Sequence, residues 1–276
     1  MVISSRSNPL YQNIRHLLQS SQVRKQKQLA VIEGIHLALA AQQCSIEIEH
    51  WIVSEDYLKH GETKKFIDQL RTEKTAGKNI SIDIFKAELF AQLSQLHTPN
   101  FILGLVKIPE MKLPLKITGD AIILDAIQDA GNVGSILRSA AAANINTVMT
   151  TKSTASIWSS KVLRAAMGAH FKLHIIENKS VADILKLIKT PILATAISSA
   201  ECEQTAFKQK ILYEFNLKSN LTWIFGNEGQ GVSKIWLDAS HYYINIPISG
   251  GVESLNVAAA AAICLFEQQR QRNNLS

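Results

Sequence analysis

Cysteine is scarce in this chain and poorly placed for cross-linking. There are three, Cys44, Cys202 and Cys264, far apart, odd in number and without a Cys-x-x-Cys pair. This argues against a disulfide framework, and a reducing compartment such as the cytoplasm is expected. Long apolar runs are missing too. The longest, Val257 to Phe266, is too short to cross a bilayer. The opening stretch, Met1 to Asn8, is polar and lacks the apolar core of a signal peptide. No membrane partner is expected. Charged residues make up only 19% of the chain, too few for a disordered protein.

Familiar ligand motifs are also absent. No Gly-x-Gly-x-x-Gly opens a helix, which argues against a dinucleotide-binding dehydrogenase. There is no P-loop, no His-Glu-x-x-His and no Ser-centred Gly-x-Ser-x-Gly elbow. The eight histidines are scattered. His170 and His174 stand four apart, but the second falls in an expected strand, so no metal site is expected.

What is present is a sizeable apolar share, 46% of 276 residues, enough for two domains with their own cores. The net charge of +6 is compatible with a nucleic-acid partner without establishing one. In the first half, "LAVIEG", "IEHWIVSE", "ISIDIF" and "FILGLVKI" read as strands. "IHLALAAQQ", "KKFIDQLRTEK" and "KAELFAQLSQL" read as helices. "PEMKLPLKITG", with two prolines and no clear period, reads as a linker over residues 109–119. The chain thus divides into residues 1–108, a linker, and residues 120–276. In the second half strands and helices alternate from "AIILD" to the last helix. That pattern implies an α/β fold with a mostly parallel sheet covered on both faces. Ligands of such sheets gather beyond the carboxyl ends of the strands.

Three glycine-bearing polar loops follow strands: "DAIQDAGNVGSILR" from Asp125, "FGNEGQG" from Phe225, and "IPISGGVESLN" from Ile246. Together they suggest one shared site. Alternatively, Asn132 and Ser254 serve only as helix caps. Capping does not account for Glu228 or for the pair Gly250 and Gly251.

The order Asn132-Val133-Gly134…Arg138, Gly226-Asn227-Glu228-Gly229, Ile246-Pro247…Ser254-Leu255-Asn256 resembles the three motifs of the SpoU, or TrmH-like, RNA ribose methyltransferases of the SPOUT class. The likeness covers about residues 120–270. "SRSNPLYQNIRHLL" followed by "AVIEG" resembles the L30e-like RNA-binding extension of that family, with Gln12 where the family often has lysine. "HTPNF" departs from its commoner Thr-Pro-Gln-Gly pattern. The resemblance implies a carboxyl-terminal trefoil knot, against the general rarity of knots. It also implies a homodimer and S-adenosylmethionine as methyl donor. On the same basis, Gly226, Ile246 and Leu255 would meet the cofactor through their backbones, with Thr195 a further candidate.

The implied reaction moves a methyl group to a ribose 2′-oxygen. Arg138 is the expected stabiliser of the charge that grows there, or an anchor for a phosphate that takes the proton, because guanidinium stays protonated and is a poor base. Asn132 and Asn256 would hold loop and ribose. Glu228 would orient Arg138 or fix its loop, and Ser254 would contact ribose or cap a helix. Arg6, Arg15, Arg24, Lys25 and Lys27, with Lys161 and Arg164, are candidates for RNA phosphates. A solvated basic face is the plainer alternative. Ribosomal RNA is favoured as substrate. Transfer RNA, or an RNA-binding protein without catalysis, are the other readings.

Overall fold

The structure is a computed structural model, and it describes residues 2–95, 101–110, 114–195 and 208–273. The chain forms two compact units. One comprises Met1–Glu110 with Trp158–Phe171, the other Met111–Ile157 with Lys172–Ser276.

The first unit contains β1 (Val2–Ile3), α1 (Pro9–Gln19), α2 (Ser21–Lys27), β2 (Leu29–Glu33), α3 (Ile35–Gln43), β3 (Ile48–Ser54), α4 (Gly61–Thr75), β4 (Ile82–Phe85), α5 (Ala87–Ala91) and β5 (Ile102–Lys107). Its sheet runs β1-β4-β3-β5-β2. β4 is parallel to β1 and β3, while β5 is antiparallel to β3 and β2. Asn8 starts α1 by accepting the Leu10 and Tyr11 N–H groups, and Pro9 takes the first helical position. The helix then buries Tyr11, Ile14 and Leu17 among Leu29, Val31, Leu103 and Leu105. The expected helix "KAELFAQLSQL" stops early, at Ala91. Beyond it, the Ser94 hydroxyl and the Gln95 N–H both turn to the Glu33 carboxylate, at 2.5 and 3.1 Å. Most of "HTPNF" lies outside the described residues.

One helix reached late in sequence, α7 (Ser160–Ala166), also belongs to this unit. It packs on β2. Arg164 forms a 2.9 Å ion pair with Glu33, whose side chain is fully buried. A contiguous second half does not foresee this, because α7 buries its apolar face on a strand laid down far earlier.

The second unit contains β6 (Ala121–Leu124), α6 (Ala130–Ala142), β7 (Thr147–Thr151), β8 (His174–Lys179), α8 (Val181–Leu187), β9 (Ile192–Thr195), β10 (Gln209–Ile211), β11 (Thr222–Phe225), α9 (Lys234–Ala239), β12 (Tyr242–Asn245) and α10 (Val257–Asn273). Every pairing in its sheet, β10-β12-β9-β11-β6-β7-β8, is parallel. The central strands AIIL and TWIF are buried at every position, as strands covered on both faces must be. The part of "PILATAIS" after Thr195 lies outside the described residues.

The final helix is fastened by polar contacts. The buried Trp223 indole N–H donates to Gln268 at 2.7 Å, and the Gln268 amide donates to Asp120 at 3.0 Å. Arg272 adds an ion pair with the same Asp120. α10 also packs against α6.

Candidate active site

Strands β12, β9, β11 and β6 are neighbours and parallel, so the loops leaving them emerge at one end of the sheet. Three of the expected site residues meet there. The Asn132 amide, in the first turn of α6, donates to Glu228 at 3.0 Å. The Asn256 amide in turn donates to the Asn132 oxygen at 3.0 Å. One hydrogen-bonded chain, Glu228–Asn132–Asn256, therefore joins the loops after β11, β6 and β12.

Glu228 also accepts the Gln128 and Asp129 N–H groups, at 3.4 and 3.2 Å. Partial burial alone would raise its pKa and is the largest single effect. The hydrogen bonds from Asn132 and from main-chain N–H groups together outweigh it, and the carboxyl sits below its ordinary range. This carboxylate lies at the amino end of a helix, where negative charge is favoured. Among the described residues no hydrogen bond or ion pair joins it to Arg138, and the bonds it does make fix the loop.

The capping roles fall on other residues than Asn132 and Ser254. Asp129 caps α6, accepting the Asn132 N–H at 2.8 Å. Asn256 caps α10 by accepting the Ala258 and Ala259 N–H groups. Ser254 is exposed. Asp129 was legible in principle: an aspartate three residues ahead of Asn132 fits the spacing of an N-cap bond. Asn227 was missed as a residue with its own task. Its oxygen accepts the Gly229 and Gln230 N–H groups, and its amide donates to the Ala126 carbonyl at 2.9 Å.

Arg138 lies on the exposed side of α6 and has no hydrogen bond or ion pair among the described residues. Its charge is therefore uncommitted. Gly226 is buried, and a Cβ there would stand 2.2 Å from backbone atoms of Gly231 and Val232. The loop's own return path demands glycine at this point. The Thr195 hydroxyl donates to the Ile224 carbonyl at 3.1 Å and so is held within the sheet. Ile246 and Leu255 are half-buried. Residues 247–255 form no hydrogen bond among the described residues. Among the described residues, their main-chain groups have no protein partner.

Two basic candidates face elsewhere. Arg24 is buried and donates to the Leu17 carbonyl at 2.6 Å, closing the end of α1. Arg164 is held by Glu33. Arg6, Arg15, Lys25, Lys27 and Lys161 are exposed. Among the described residues no group of three or more histidine, cysteine or carboxylate side chains is placed to hold a metal ion.

The family model described as "SpoU rRNA Methylase family" matches residues 120–266, the segment that carries all three loops. The chain belongs to the SpoU rRNA methylase family. A second model, the MRM3-like substrate binding domain, matches residues 8–104. One SpoU-class relative is the 23S rRNA (guanosine(2553)-2'-O)-methyltransferase RlmP of Bacillus subtilis. It is 30% identical over 225 residues, covering 80% of this chain and 86% of that protein. A solved RNA 2'-O ribose methyltransferase is similar at 26% identity and TM-score 0.78, covering 99% of this chain and 100% of the other. AviRb of Streptomyces viridochromogenes, a SpoU methyltransferase solved with AdoMet, shares the fold at 20% identity and TM-score 0.82. That match covers 96% and 98% of the two chains.

Proposed function

We propose that this chain is an S-adenosylmethionine-dependent methyltransferase acting on a ribose 2′-hydroxyl of ribosomal RNA, with 23S rRNA as the substrate. The observation that carries the reading is the Glu228–Asn132–Asn256 chain, which joins three loops at the start of the helix that also bears the exposed Arg138. S-adenosylmethionine, when bound, supplies an electrophilic methyl group. The free main-chain groups of the loop containing Leu255, with Gly226, Ile246 and Thr195 around it, are the residues we assign to hold it.

A ribose hydroxyl is a weak nucleophile until its proton departs. Arg138 stabilises the negative charge developing on that oxygen, and its planar fork also suits a neighbouring phosphate able to take the proton. Asn132 and Asn256 lock the loops that must align the reacting atoms, and alignment is a large part of such a rate enhancement. Ser254, exposed and two residues ahead of Asn256, is the residue we assign to the ribose. The exposed Arg6, Arg15, Lys25 and Lys27 track phosphates, so RNA affinity falls steeply with added salt.

The proposal includes a carboxyl-terminal trefoil knot. Two observations support it. β9 separates β12 from β11, yet α10, which follows β12, returns to pack on α6 and to bond Trp223 of β11. It also includes a homodimer, supported by the half-exposed Phe266 on α10. A monomeric mass by light scattering would remove that element. The three cysteines support a cytoplasmic setting.

The test is incubation of the purified chain with labelled S-adenosylmethionine and transcribed 23S rRNA, followed by mass mapping of ribose methylation. Label on one 2′-oxygen is expected. Label on transfer RNA alone, or none on any RNA despite cofactor binding, would reject the reading.

A further inference from the structure

Ala126, in the loop leaving β6, has φ +57°, a left-handed conformation that costs an L-residue free energy. It is gripped from both sides. Its N–H donates to the Thr151 hydroxyl at the end of β7, at 3.0 Å. Its carbonyl accepts from the Asn227 amide at 2.9 Å. The next residue, Ile127, is fully buried, and its carbonyl accepts the Ala155 N–H at 2.8 Å. The two residues after that present their N–H groups to Glu228.

We propose that Thr151 and Asn227 are positioning residues for methyl transfer. They hold Ala126 in its left-handed turn, and that turn aims Gln128 and Asp129 at Glu228 and sets the start of α6. Asn132 and Arg138 inherit their placement from it. Without either grip, Ala126 relaxes to an ordinary φ and the first turn of α6 loses its register against the other two loops. Strain held by surrounding hydrogen bonds in this way is a feature of functional loops. The kinetic part of the inference rests on the methyl-transfer reading; the geometric part does not.

Thr151→Val keeps the side chain's size and removes the hydroxyl. Asn227→Ala removes the second grip. Each is expected to lower kcat on transcribed 23S rRNA roughly five- to thirtyfold, the population shift that an uncompensated left-handed alanine implies. The KM for RNA should stay near its wild-type value. Adding Ala126→Gly should restore most of the loss, because glycine takes positive φ freely. Hydrogen exchange at the Gln128 and Asp129 amides gives a readout that needs no substrate. It should quicken in the single variants and slow again when Ala126→Gly is added. Unchanged exchange in Thr151→Val, or no restoration by Ala126→Gly, would overturn the clamp. Should Asn227→Ala fail to fold, since Asn227 also holds Gly229 and Gln230, Thr151→Val decides. Wild-type protein that methylates no RNA would overturn the catalytic part, while the exchange data still judge the clamp.

Discussion

Arg138 and Gly226 show two different ways a single residue can matter here. Arg138 is exposed and unpartnered among the described residues, so its removal leaves no buried group stranded. Arg138→Ala should therefore keep wild-type melting and cofactor affinity while slowing single-turnover methylation by on the order of 10² to 10³. Arg138→Lys should also fail, because a point charge does not replace a planar fork. Turnover at the wild-type rate would sink the assignment. Gly226 is the opposite case. A methyl group there would overlap the backbone of Gly231 and Val232 at 2.2 Å. Gly226→Ala should cost about 3 kcal/mol, the upper range for overpacking, visible as a lower Tm, with cofactor affinity falling alongside. A normal Tm would mean the loop has room to move aside. The sequence marked both residues. It did not reveal that Gly226 is needed by its own loop, because nothing in "FGNEGQG" states where Gly231 returns.

At the scale of the element, α6 illustrates how a helix start becomes part of a site. Asp129 caps it, and Glu228 arrives from another loop to bind the N–H groups just ahead of it. The depressed Glu228 pKa makes this attachment pH-dependent. A carboxyl whose folded pKa lies below its unfolded value, about 4.3, contributes stability above that value and loses it as pH falls through the folded pKa. The Tm gap between wild type and Glu228→Gln should thus be widest near neutral pH and shrink in acid, below the unfolded value. A gap that stays constant down to strongly acid pH would show that the carboxylate charge is not what holds the loop. The strands and helices themselves were largely legible, since uninterrupted apolar runs such as AIIL and TWIF mark strands buried on both faces. β10 was not, because Gln209–Ile211 is short, largely polar and carried at the sheet's edge.

For the whole molecule, the decisive feature is that α7 belongs to the first unit. A reading in sequence order expects residues 120–276 to survive removal of residues 1–108. The fold predicts otherwise. Removal would strip β2 from the buried face of α7, which includes Val162, Leu163 and Ala166, and would leave Arg164 without Glu33. The truncated chain should melt earlier than the intact protein and bind a hydrophobic dye. A remnant with the full-length Tm and no dye binding would show that α7 finds other cover.

By itself, the sequence determined the α/β class and the alternation of the second half. It also placed the three loop motifs that mark the family and supplied the identities of Asn132, Glu228 and Asn256. The class and the alternation follow from local period and composition, which a chain carries wherever it folds; the motifs and their residues were marked by resemblance to the SpoU family. Only the tertiary structure decided that Glu228 binds Asn132 rather than Arg138, that Arg24 is buried and Arg164 is paired with Glu33, and that α7 packs on β2. Each of these depends on which distant segments the sheet order brings together. A short polar side chain such as Asn132 or Asn227 has several partners open to it until that order is set.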